Sequence, residues 1–236
     1  EFYVMGHLLT AAAIHHRATG KTNLLYVAER AADHCYEIFS RKDTAFAEFP
    51  LNPSIIMGAV ELYRETGNQK YLELGKMVVD WRGSTWDGKN IRNAWKKSPG
   101  LSDHNQNWKP LREETEVLGH SVFWSYLYCG AADVYLENGD STLLTSLQRL
   151  WKDFTGSKMY VTGGASPESK ALVSRSFGEG KRDFILWDPI REGIAQPYHL
   201  PNSSSYNETC GQVGNFMWNW RMLLATGESK YADIME

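Results

Sequence analysis

The sequence predicts an all-α protein, a helical toroid of the α/α-barrel type. Three observations carry this. One short phrase recurs four times along the 236 residues. Helix-like segments flank it each time. The segments before it are more apolar than those after it.

The phrase reads ATGKTNLL at 18–25, ETGNQKYL at 65–72, ENGDSTLL at 137–144 and ATGESKY at 225–231. Each holds Thr or Asn, then Gly, then polar residues, then Leu or Tyr. Glycine just past a helix accepts the left-handed conformation that ends it. The polar residues that follow can cap the next helix.

The first pair is GHLLTAAAIHHRA followed by LLYVAERAADHCYEIFS. The second is SIIMGAVELYRE followed by YLELGKMVVDWRG, and Pro53 suits a first helical turn there. The third is GHSVFWSYLYCGAADVYLE followed by LLTSLQRLWKDF. The fourth is CGQVGNFMWNWRMLLA followed by KYADIME. The first helix of each pair is apolar almost all round, which suits burial on two faces. The second is amphipathic. Irregular spacing and long joining loops favour a barrel over a regular solenoid. The whole of 1–236 reads as part of one such domain, with both ends cut.

Residues 160–207 show little helical period. A loop that long inside a compact domain is usually functional. It is expected to be ordered, with a short β-hairpin around YVTGG and DFILWD.

The composition is that of a globular protein, 42% hydrophobic and 22% charged. A net charge of −3 gives no electrostatic case for nucleic acid or an anionic membrane. No apolar run reaches membrane-spanning length. Three cysteines, Cys35, Cys129 and Cys210, argue against a disulfide framework. Compartment and oligomeric state cannot be read from the chain.

Polar residues gather where the buried helices begin. His7 lies in the first and Asn52 before the second. Arg112, Glu113, Glu116 and His120 precede the third, and Glu208 and Cys210 the fourth. In a ring of hairpins these share one end, where helix N-termini offer free N–H donors. A structural reading competes: carboxylates as caps, histidines as satisfied core groups. The stretch LPNSSSYNETC also holds two glycosylation-like triplets, at Asn202 and Asn207, a pattern that means nothing without a eukaryotic secretory context.

The strings GHLLTAAA, ELYRETGNQKYLELGK, PLREETEVLGHSV, YVTGG and above all REG…LPNSSSYNETC…WNWRML resemble glycoside hydrolase family 127, the β-L-arabinofuranosidases, and the related family 146. The resemblance implies an (α/α)6-barrel catalytic domain and a retaining glycosidase acting on carbohydrate. Glu192 matches the acid/base. Glu208 and Cys210 match two of four zinc ligands. His7 and His120 match sugar contacts, and Asn52 stands where the family usually has a sugar-binding histidine. The nucleophile would be a zinc-bound cysteine from an adjacent Cys-Cys pair outside this chain, which also completes the zinc site. As acid, Glu192 needs a raised pKa, for which Trp187 and Tyr198 are nearby in sequence. Such enzymes are commonly bacterial. Asn52 cannot titrate, and the segment between Gly164 and Glu192 is about twenty residues longer than the usual pattern. These departures keep two alternatives open: a non-catalytic carbohydrate-binding relative, or another α/α-barrel sugar enzyme such as an epimerase.

Overall fold

A computed structural model describes residues 2–41, 52–86, 89–90, 106, 109–171, 174–176, 182–184, 190–194 and 196–236. The described residues form four helical hairpins of an all-α toroid. They are α1 (Phe2–Thr19) with α2 (Asn23–Ser40), α3 (Ser54–Thr66) with α4 (Gln69–Trp81), α5 (Ser121–Asn138) with α6 (Ser141–Ser157), and α7 (Thr209–Thr226) with α8 (Lys230–Met235).

The repeated glycines close all four hairpins. Gly20, Gly67, Gly139 and Gly227 have φ between 68° and 71°. Each N–H returns to the carbonyl four residues back, at 2.7–2.8 Å. The residues after them do cap the next helix in two cases: Asn68 accepts from Lys70 N and Asp140 from Thr142 N.

The first helices of the pairs lie side by side, α1 on α3, α3 on α5, α5 on α7. Their contacts are close because small residues sit at the crossings. A Cβ on Gly6 would meet the Ser54–Ile55 backbone at 2.4 Å. Trp124, Tyr128, Phe154 and Trp218 fill the core between α5, α6 and α7, with ring centroids as near as 5.0 Å. α3 and α5 are buried on most sides. α1 and α7 are not: Val4, Ile14, Val213, Phe216, Trp220 and Leu224 are exposed.

The C-terminal halves of these four helices share a ladder of ion pairs. Arg17 meets Glu61 and Glu65, Arg64 meets Glu61, Asp133 and Glu137, and Arg221 meets Asp133. Opposite charges alternate across every helix boundary, so no buried carboxylate there is left alone.

The long segment carries strands, though not where YVTGG stands. Residues 160–164 make a turn, with Gly163 N on Tyr160 O at 2.8 Å. β7 (Ile190–Ile194) pairs antiparallel with β3 (Gly119–His120) and with β4 (Glu168–Ala171). β5 (Ser174–Ser176) pairs with β6 (Arg182–Phe184), the start of the DFILWD string. β1 (Thr85–Trp86) and β2 (Lys89–Asn90) form a separate two-stranded ribbon. The β3–β7 pairing brings the segment around Glu192 to the N-terminal end of α5.

Candidate active site

Four of the sequence-predicted residues converge at the N-terminal ends of α5 and α7. His120 is the last residue before α5, and its Nδ1 accepts the N–H of Val122 at 3.2 Å. Its Nε2 lies 3.1 Å from Glu192 Oε2. Glu208 is the residue before α7. Its Oε1 accepts from the Cys210 thiol at 2.5 Å, and its Oε2 is buried without a hydrogen-bond partner.

Electrostatics tie the group together. Burial pushes the His120 imidazole down to about 4, with the charge of Glu208 acting against it. The Cys210 hydrogen bond holds the Glu208 carboxyl below its ordinary range; burial opposes this, and contacts with Glu192 and His120 add to it. Partial burial first, and then the Glu208 bond and charge, raise the Cys210 thiol to about 11. Cys210 is nonetheless exposed, unlike Cys35 and Cys129, which are buried core thiols raised to about 11 and about 12 by burial.

His7 reaches the same end through aromatic rings. It lies edge-on to Tyr3 at 5.0 Å and to Tyr126 at 5.9 Å. The Tyr126 hydroxyl is raised by burial first, then by Tyr3, Cys129 and Cys210. Asn52 is buried, and its Oδ1 accepts from Ser54 N at 3.0 Å, holding the start of α3. Ser54 Oγ in turn donates to Tyr3 O at 2.9 Å, which joins the starts of α1 and α3.

Other expected members go elsewhere. Arg112 pairs with Asp80 and Asp140 at 2.7 Å, beside the α5–α6 turn. Glu116 faces Lys158 at 3.5 Å. Both belong to the scaffold, because the turn at Leu111–Glu113 directs them toward α4 and α6. Tyr198 is 79% exposed, and Trp187 lies outside the described residues. Two residues had not been singled out. The Tyr206 hydroxyl lies 3.4 Å from Glu192 Oε1, and Ser121 Oγ lies 2.7 Å from the Glu192 carbonyl. Tyr206 sits inside the LPNSSSYNETC string, which was its only signal. Asn207 is tied into the fold by Ser166 N and by its own N–H to Ser166 O, so its side chain serves the loop.

The family model described as the beta-L-arabinofuranosidase, GH127 catalytic domain, matches residues 1–236. The chain belongs to this family. A non-reducing end beta-L-arabinofuranosidase of Bifidobacterium longum is 30% identical over 249 aligned positions, covering all of this chain and 34% of that protein. A solved glycoside hydrolase is 38% identical, with a TM-score of 0.81 over the whole of this chain and 36% of its own. A GH127 beta-L-arabinofuranosidase from Geobacillus stearothermophilus is 28% identical, also with a TM-score of 0.81, over the whole of this chain and 35% of its own. The chain thus spans about a third of the length of these relatives.

Among the described residues, no group of three or more His, Cys, Asp or Glu side chains is arranged to hold a metal ion. Glu208 and Cys210 offer two donors, one oxygen and one sulfur, both of which zinc accepts. The unpartnered Oε2 of Glu208 fits this donor set, because a buried carboxylate oxygen ordinarily has a partner.

Proposed function

We propose that this chain supplies the acid/base and part of the metal site of a retaining glycoside hydrolase that removes β-L-arabinofuranosyl or a similar sugar from glycans. The observation that carries the reading is the meeting of Glu192, His120, Glu208 and Cys210 at one end of the inner helices.

A retaining glycosidase needs a nucleophile at the anomeric carbon and an acid on the leaving oxygen. Glu192 would protonate the leaving oxygen and then take a proton from the incoming water. His120 Nε2 and the Tyr206 hydroxyl hold its two carboxyl oxygens, which limits the ways the group can turn. Two neighbouring carboxyls cannot both ionise freely, so an ionised Glu208 favours the proton on Glu192.

Glu208 and Cys210 would hold a zinc ion. Zinc would supply thiolate at neutral pH, since a coordinating thiol is deprotonated outright. Without it, the raised pKa keeps Cys210 a thiol. His7, set between Tyr3 and Tyr126, would meet the sugar from the α1 side. Asn52 has its oxygen committed to Ser54, which leaves its amide nitrogen for a hydroxyl.

The test is the metal content of the longest natural chain containing this segment, purified without chelator, beside its Cys210→Ser variant. Near one zinc per chain, lost in the variant, is expected. Zinc in neither protein would return Cys210 to a structural role and remove the thiolate mechanism.

A further inference from the structure

Glu192 is held by its backbone as well as by its carboxyl. Its φ is 50°, inside strand β7. A left-handed conformation costs a non-glycine residue free energy and persists only where surrounding contacts impose it. One such contact is present. Ser121, fully buried in the first turn of α5, places Oγ 2.7 Å from the Glu192 carbonyl oxygen, 3.1 Å from Ser166 Oγ and 3.3 Å from Ala165 O.

A hydroxyl has one proton. The shortest contact is to Glu192, so Ser121 donates there and accepts from Ser166. Ser166 is fastened in turn to Asn207, just ahead of Glu208. On its far side Ser121 touches α7, where a Cβ on Gly211 would come within 2.9 Å of its own. The hydroxyl therefore sits where α5, β7, the 165–166 segment and α7 meet.

We infer that Ser121 is a positioning residue for Glu192, its hydroxyl fixing the left-handed peptide that aims the carboxyl at His120 Nε2. Adjacent residues at one helix end then grip Glu192 twice: His120 takes the carboxyl and Ser121 the carbonyl. Full burial keeps Ser121 from touching substrate, so its effect must pass through Glu192. The inference rests on the reading of Glu192 as acid/base.

The experiment uses the full-length enzyme and two β-L-arabinofuranosides, one with a methyl and one with a dinitrophenyl aglycone. Dinitrophenolate leaves without protonation, so only the methyl glycoside needs a well-aimed acid. Ser121→Ala is expected to cut kcat/KM on the methyl glycoside about ten-fold, since misplacing a reacting group carries penalties of that size or more. On the dinitrophenyl glycoside the loss in kcat/KM, which reports the bond-breaking step alone and not the later attack of water, stays within about two-fold. Ser166→Ala removes a hydroxyl from the same cluster but none from Glu192, and should leave both rates and the methyl-to-dinitrophenyl ratio unchanged. Equal losses on both substrates, no loss, or the same selective loss in Ser166→Ala would overturn the inference. If Ser121→Ala does not fold, Ser121→Cys, a weaker donor of similar size, is measured instead, with a smaller selective loss expected and an equal loss overturning it. Glu192→Gln on the same pair separates the two levels. Selective loss there with none in Ser121→Ala sinks this inference alone. No selective loss in Glu192→Gln sinks the acid/base reading, and this inference with it.

Discussion

The imidazole of His120 bridges a helix end and a carboxyl: Nδ1 accepts the N–H of Val122 at 3.2 Å, and Nε2 lies 3.1 Å from Glu192 Oε2. The first contact settles the tautomer. With the Nδ1 lone pair occupied, the ring proton sits on Nε2 and faces Glu192. Burial holds the ring pKa at about 4, so the ring is neutral in the neutral range and donates as a neutral group. Phe123 stacks on it at 4.2 Å and fixes its plane. Gln can still donate an N–H from this position, and Ala cannot. In the full-length enzyme, His120→Ala is expected to lower kcat about 100-fold and His120→Gln by less than about ten-fold. Equal losses in steady-state kinetics would mean that the hydrogen bond is not what the ring contributes.

Cys210 makes a second prediction, this time on the metal-free chain. It is exposed while Cys35 and Cys129 are buried, so it should be the only one of the three that iodoacetamide reaches in the folded state. Its reaction should nevertheless be slow at neutral pH, because the thiolate is the nucleophile and the thiol is raised to about 11. Glu208→Gln removes the charge beside the thiol and should bring the titration down toward the ordinary cysteine range. Alkylation rates followed by mass spectrometry across pH test this. A profile unchanged by the substitution would show that Glu208 does not hold the thiol proton.

How far the sequence reached follows from which features are local. The four glycine turns were legible because left-handed φ is a property of single residues, and Gly20, Gly67, Gly139 and Gly227 all adopt it. The meeting of His120, Glu208 and Cys210 was legible because each sits at the start of one of two neighbouring helices. Arg112 and Glu116 were misplaced by the same logic. They precede α5 on a tight turn, where nearness in sequence does not set side-chain direction. The strands around Glu192 left no alternating pattern to read, since β7 is fixed by pairing with Gly119–His120 and with Glu168–Ala171. Ser121 was invisible for a related reason: its partner lies 71 residues away.

Glu114 gives the stability of this fold a pH dependence of its own. It is buried, and burial pushes its carboxyl up to about 8, against the Tyr128 hydrogen bond and the charges of Arg82, Arg149 and Lys109. A carboxyl raised in the folded state binds more protons there than in the unfolded chain between about pH 4.3 and 8. Stability from this group is therefore full below that window and is lost as pH rises through it. Glu114→Gln keeps the shape and removes the titration. Thermal melts of the longest natural chain should show the variant gaining on the parent from pH 5 to 8, by on the order of 3 to 4 kcal/mol. A constant difference across that range would mean Glu114 is ionised throughout, balanced by Arg82.

Two glycines with opposite roles separate turn strain from helix contact. Gly139 has φ 70° and nothing within 4 Å of where a Cβ would stand, so Gly139→Ala should cost only backbone strain, about 1 kcal/mol. Gly6 is inside α1, and its Cβ would meet Ser54 C and Ile55 N at 2.4 Å. Backbone cannot step aside as a side chain can, so α1 and α3 would have to part. Gly6→Ala should cost about 3 kcal/mol, in the range for overpacked cores. It should also disturb the site, because Tyr3 and Ser54, which flank His7 and Asn52, are joined across that crossing. Chemical denaturation of the two variants checks the order. If Gly139→Ala proves the more damaging, left-handed turns rather than the α1–α3 approach set the tolerance of this fold.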